Sequence, residues 1–217
     1  MTGLLLTNYY LVYRSIFAYT GLTILVSGIL LYFGDSSIHG MAAMLIILLM
    51  TLPATEVIKL EARSGYDKYV LTLPVSRRNI VQSHYLFYFL IAFIGAILSY
   101  GIFYIYDLVS ITSIDGIFSI VSFGTFVVLF AGAIVFPLLY IFGPEKSDAI
   151  VLGSGMGGLF ATIGLQSVVG YLIEQLPLSN LNINPSLYVP IIYLILGAII
   201  YIISYFIAAF IYHKKEF

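Results

Sequence analysis

Cysteine is missing from this 217-residue sequence, which excludes disulfides, thiol chemistry and cysteine-based metal sites. Charge is scarce as well. Only 9% of residues are Asp, Glu, Lys or Arg, against about 25% in soluble domains, so the chain is not a soluble domain. No glycine-rich loop ends in Gly-Lys-Ser or Gly-Lys-Thr, so any ATP the protein uses must be bound by another polypeptide. His-Glu-x-x-His and Gly-x-Ser-x-Gly are also missing, which leaves metalloprotease and hydrolase readings without residues. A net charge of −1 offers nothing to nucleic acid. The start of the chain has no basic cluster before a short apolar core and no small-residue cleavage site. The first apolar stretch is therefore expected to stay in the mature protein.

What is present is apolar: 61% of the residues, in runs long enough to cross a bilayer as helices. Six spans are predicted: Ile16–Phe33, Met41–Ile58, Tyr85–Tyr106, Phe118–Phe142, Ala149–Ile173 and Tyr188–Tyr212. Pro53 is expected to kink the second by removing one backbone hydrogen bond. Met1–Ser15, crowded with Tyr9, Tyr10 and Tyr13, reads as an interfacial helix leading into the first span. Polar connections are expected at 34–37, 107–115, 143–148 and 174–185. The fold class is thus an all-α multi-pass membrane protein. With six spans both termini share one side, and that side carries all nine Lys and Arg: Arg14, Lys59, Arg63, Lys68, Arg77, Arg78, Lys146, Lys214 and Lys215. The opposite side has Asp35, Asp107, Asp115 and Glu174. The positive-inside rule therefore places both termini in the cytoplasm, in a cell membrane.

Leu60–Tyr85 is the long polar interval between spans, and it carries helix signals. Ser64 followed by Asp67 fits a capping box. Tyr66, Tyr69, Val70 and Leu73 make one apolar stripe at helical spacing. Pro74 ends the helix by pushing the preceding residue out of the helical region, and Ser76 can cap the next one. From spacing alone, the piece lies on the membrane surface or docks on a partner.

Other motifs have structural readings. Gly153-Ser-Gly-Met-Gly-Gly158 matches the dinucleotide fingerprint by letter, but no strand precedes it. Gly153, Gly157 and Gly158 read instead as small residues that let helices approach closely in lipid, those of this chain or of a second copy. Glu56 and Lys59, one turn apart near the end of the second span, are expected to pair. His39, His84 and His213 stand singly near membrane boundaries and read as interfacial residues rather than metal ligands. Gln166 and Ser167 suit interhelical hydrogen bonds or a substrate path. Tyrosines at mid-span either pack or line a route for amphipathic cargo.

The first half resembles small permeases of the ABC type-2 exporter family. The resemblance rests on the Leu-rich amphipathic start, on the Glu at the end of the second span, and on Gly65 to Val81 with its Leu-Pro-Val-Ser-Arg core. Similar members include permeases of staphylococcal phenol-soluble-modulin exporters and of bacteriocin export or immunity systems. Tyr66, Asn8 and His84 depart from the family, which often has Trp, an acid and Lys there. The resemblance implies a single transmembrane permease domain over 1–217, two copies of which work with two cytoplasmic ATPase subunits that hold ATP and Mg. This chain would then be no enzyme and would hold no cofactor. Its cargo would be an amphipathic peptide. Ser64, Gly65, Tyr66, Asp67, Lys68, Tyr69, Leu73 and Pro74 would form the coupling helix that contacts the ATPase. A non-transporting immunity or scaffold protein on the same fold is the alternative.

Overall fold

The computed structural model describes residues 1–34, 38–109, 116–175 and 185–214, with backbone alone at 71, 166, 168–170, 172–175 and 185–187. Seven α-helices occur among them: α1 (Thr2–Phe33), α2 (His39–Ser64), α3 (Tyr66–Tyr69), α4 (Arg77–Val109), α5 (Ile117–Phe142), α6 (Ser147–Gln175) and α7 (Pro185–Lys214). Short 3₁₀ turns, Val70–Thr72 and Pro144–Lys146, follow α3 and precede α6. All but α3 are long and apolar enough to cross a membrane.

The helices outrun the apolar runs that define them. The first span and its lead-in form one unbroken helix rather than an interfacial helix plus a span. Helix α2 passes through Pro53 and winds six residues beyond Ile58. Helix α4 starts eight residues before Tyr85. Hydropathy marks where lipid ends, whereas a helix ends where the backbone finds a breaker. Here those breakers are Gly65 for α2 and the Ser76 cap for α4. Asn79 N–H donates to Ser76 Oγ at 3.2 Å, the bond expected of that cap. Asp107 lies inside α4, and Pro185 opens α7, where its missing N–H costs nothing. The rest of the expected connections, at 35–37, 110–115 and 176–184, lies outside the described residues.

Helix α5 touches α2, α4, α6 and α7, and so sits at the middle of the bundle. Its Val128, Phe136 and Leu139 pack with Ile47, Ala54 and Val57 of α2, Val81 and Tyr88 of α4, and Ala208 of α7. Glycines set the spacing. A Cβ on Gly124 would lie 3.2 Å from Met44 Cα, and one on Gly132 would collide with the Tyr88 ring. Hydrogen bonds then tie the mid-span tyrosines to the backbone. Tyr88 Oη donates to Val128 O at 2.8 Å, and Tyr201 Oη to Tyr85 O at 2.9 Å. Ser204 Oγ donates its only proton to Ala133 O at 2.5 Å, so Tyr85 Oη must be the donor in its 2.8 Å bond to Ser204. These tyrosines are buried, and they hold helices together where lipid gives no hydrophobic drive to do so.

Candidate functional site

The interval between α2 and α4 is a short, stiff elbow. Gly65 takes left-handed backbone angles (φ 73°, ψ 7°), and its N–H returns to Ala62 O at 3.3 Å, closing α2. No neighbour approaches the place of its missing side chain within 4 Å, so the glycine is needed for its backbone angle rather than for space. One turn of helix and the 3₁₀ turn follow. Leu73 is then extended (φ −78°, ψ 154°), as the residue before a proline should be. Val75 N–H donates to Leu73 O at 2.7 Å across Pro74, making a three-residue turn that hands the chain to α4.

The expected capping box is not formed. Ser64 ends α2, and its hydroxyl donates back to Glu61 O at 3.0 Å; Asp67 Oδ1 accepts from the adjacent Lys68 N–H at 2.9 Å. Because Gly65 admits left-handed angles, α2 runs on to Ser64, and the residue that should have started a helix finishes one. The apolar stripe is split as well. Val70 is buried and anchors the piece, Tyr66 and Leu73 are half-buried, and Tyr69 is 59% exposed. The inner wall is the start of α1. Leu11 shares a recess with Gly65, Tyr66 and Tyr69, and Leu4 shares one with Tyr66, Leu73 and Pro74. Lys68 and Pro74 face outward.

Beneath the elbow lies a buried polar cluster. Glu61, in the last turn of α2, places Oε2 3.0 Å from His84 Nε2, an ion-pair distance outside the angular range of a hydrogen bond. The other ring nitrogen of His84 lies 2.8 Å from Tyr140 Oη, and the Tyr140 ring packs 5.0 Å from that of Tyr212. All four residues are buried. The root of the elbow is thereby tied to α4, α5 and α7. Removing one member of such a buried polar contact would leave the other's polar group stranded, at a cost of about 1–3 kcal/mol or more. His84 is thus an internal strut and not the interfacial residue expected. His39 packs on Phe103 and Tyr106, and the carbonyl of His213 accepts from Arg77 Nη1 at 3.1 Å. Glu61 could have been found by extending the stripe Ile47, Met50, Ala54, Val57 one more turn, because all of these are buried on one side of α2.

Two other expectations change. Lys59 does not close on Glu56; its Nζ is 2.6 Å from Asp148 Oδ1, linking α2 to the start of α6. Glu56 faces a cleft shared with Tyr19, Thr55 and Ser147. The glycine fingerprint lies inside α6, and only part of it packs within the chain. A Cβ on Gly158 would sit 3.0 Å from Val127 O of α5 and one on Gly157 would touch Ile134 at 3.6 Å, whereas Gly153 has no neighbour within 4 Å. The side chain of Gln166 lies outside the described residues, and Ser167 bonds back to Ile163 O at 3.3 Å.

The site therefore offers no reacting group. It presents an exposed aromatic on a one-turn helix whose root contacts three further spans through a buried polar cluster. Comparison with curated proteins returns no match. A family model described as ABC-2 family transporter protein matches residues 3–213, nearly the whole chain. The chain belongs to the ABC-2 transporter family, as a multi-pass membrane permease subunit of an ABC transporter.

Proposed function

We propose that this permease is the membrane half of an exporter that moves hydrophobic or amphipathic peptides, toxic ones included, out of the cell. Two copies would work with two ATPase subunits that hold ATP and Mg, and the residues from Gly65 to Pro74 would receive the stroke of ATPase closure. The observation that carries this reading is Tyr69, held 59% exposed between a glycine elbow and a proline turn while the neighbouring Val70 is buried. The Tyr69 ring is open to a partner or to lipid at the membrane surface, and a cross-link to the ATPase separates the two. Gathering of Lys and Arg on one side supports a cytoplasmic position for the elbow. Acids inside the described spans are confined to the elbow end of α2 and the first turn of α6, apart from Asp107 and Glu174 near the far ends of α4 and α6. That scarcity suits an apolar cargo better than an ion.

The test is co-purification of the chain with its ATPase, followed by ATP hydrolysis with and without an amphipathic helical peptide. Truncating an aromatic anchor at such a contact commonly costs about 2 kcal/mol, so Tyr69→Ala should weaken ATPase binding about 30-fold with membrane insertion unchanged. Cross-linking from Lys68→Cys should reach the ATPase. An intact complex with no cross-link from any position between Tyr66 and Leu73 would remove the coupling role. A complex that couples normally but answers to no peptide would favour the immunity or scaffold reading.

A further inference from the structure

A groove of about 370 Å³ runs between α4 and α7 on the outside of the bundle, with Tyr85, Leu86, Phe89, Tyr201 and Ile202 among its walls. Its lining is almost wholly apolar except at the elbow end, where Gln82 and the Tyr205 hydroxyl lie. At that end Arg78 Nε donates to Tyr205 Oη at 3.1 Å. A phenol thus orients the guanidinium without neutralising it, and Arg78 remains exposed. Lys59 closes on Asp148 and Glu61 lies against His84, so neither of these acids is engaged by Arg78. Further cations gather at the same end. Arg77 Nη1 binds His213 O, and Lys214 Nζ rides 4.3 Å from the Phe210 ring.

The dimensions select an occupant. From Arg78 to Phe89 is eleven residues, about 16 Å along a helix, which is close to half of a hydrocarbon core about 30 Å thick. The lining itself covers Gln82 to Phe89, about 10 Å of helix, and Arg78 lies one turn beyond it. A slot for part of an acyl chain, with an oriented guanidinium past its polar end, matches a phospholipid in charge and in the order of its groups. Guanidinium meets phosphate with a planar fork of donors, and basic pockets between membrane helices favour anionic headgroups. A zwitterionic lipid would bring its own cation up to the Arg78 guanidinium, whereas an anionic headgroup brings none. We propose that this groove is a binding site for an anionic phospholipid, with the phosphate on Arg78 and one acyl chain along Tyr85, Leu86, Phe89 and Ile202. Placing it in the inner leaflet rests on the orientation proposed above; the binding itself does not.

Native mass spectrometry of the purified full chain in mild detergent tests the site, with phosphatidylglycerol and phosphatidylcholine of identical acyl chains as probes. The chain should retain phosphatidylglycerol over phosphatidylcholine by about fivefold or more, the value of one basic contact at a membrane surface. Arg78→Gln should bring the two lipids to parity. Lys146→Gln, elsewhere on the same face of the membrane, should leave the preference intact. Ile202→Trp, at a position 55% exposed, should fill the slot and lower retention of both lipids without altering thermal stability. It decides the matter should Arg78→Gln fail to give a monodisperse protein. Equal retention by the unaltered chain, or a preference that survives Arg78→Gln, would overturn the proposal. So would efficient homodimer cross-linking through Phe89→Cys in membranes, which would seat a second copy of the chain in the groove instead.

Discussion

Helices α5 and α6 are neighbours in sequence, joined by the turn at Gly143, and both carry glycines through an apolar span. Their glycines do different things. Those of α5 are where other helices press in, Met44 at Gly124 and the Tyr88 ring at Gly132. Among the described glycines of α6 only Gly158 receives a close backbone neighbour, while Gly153 and Gly164 have none within 4 Å. Burial follows the same division: 61% of the apolar stretch of α5 lies inside the molecule, against 22% for α6. Leu152, Met156, Phe160 and Ile163 make the outer face of α6 broadly apolar. Small residues at helical spacing therefore permit close packing without saying against what. In α5 the partner is this chain; on the open side of α6 it is lipid or the second copy proposed above.

Three glycine substitutions and one set of cysteine labels would break or sharpen that contrast. Gly132→Leu should do most. The added side chain needs the space of the Tyr88 ring and threatens the bond from Tyr88 to Val128 O, so overpacking of about 1–3 kcal/mol or more is expected. Loss of monodisperse protein in size-exclusion chromatography is the readout, and an unchanged elution profile would show that α4 and α5 are not in such contact. Gly158→Leu should lower the melting temperature less, because α6 is peripheral and can shift away from Val127 O. Gly153→Leu should leave thermal stability within about 0.5 kcal/mol, as open positions usually do, yet weaken self-association in native mass measurements. An undiminished dimer would move the second copy to another face. The smallest structural effect belongs to cysteine labelling, which the cysteine-free sequence makes clean. Glu145→Cys at the junction of α5 and α6, like Lys68→Cys, should react with an impermeant thiol reagent only in opened cells, whereas Asp115→Cys should react in intact ones.

Much of the architecture was legible in the sequence, because crossing a bilayer leaves the backbone few choices. Six apolar runs gave six spanning helices, and the extended Leu73 and the Ser76 cap sit where Pro74 and the hydroxyl foretold. The misreadings share one cause. Ser64 with Asp67 reads as a helix start lying past the apolar run that ends at Ile58, and His84 as an interfacial residue because Tyr85 begins one. Both positions lie inside helices that continue well past the change in polarity. Once α2 is extended, Glu61 falls on its buried side and His84 opposite it. Lys59 illustrates another limit. A partner one turn away was visible in Glu56, but Asp148 is 89 positions distant and reaches it only through the packing of α2 against α6.

The unbroken α1 makes membrane thickness a mechanical quantity for this protein. Its 32 residues span about 48 Å. Even at a tilt of about 40°, the upper end of what spanning helices adopt, it would project about 37 Å onto the bilayer normal, more than a core of about 30 Å can hold. Several angstroms of helix must therefore emerge, and the emerging start is the part that walls Tyr66 and Leu73. A thicker bilayer would draw that wall inward, and a thinner one would push it out. Through a rod that cannot shorten, lipid composition would set the resting height of the elbow.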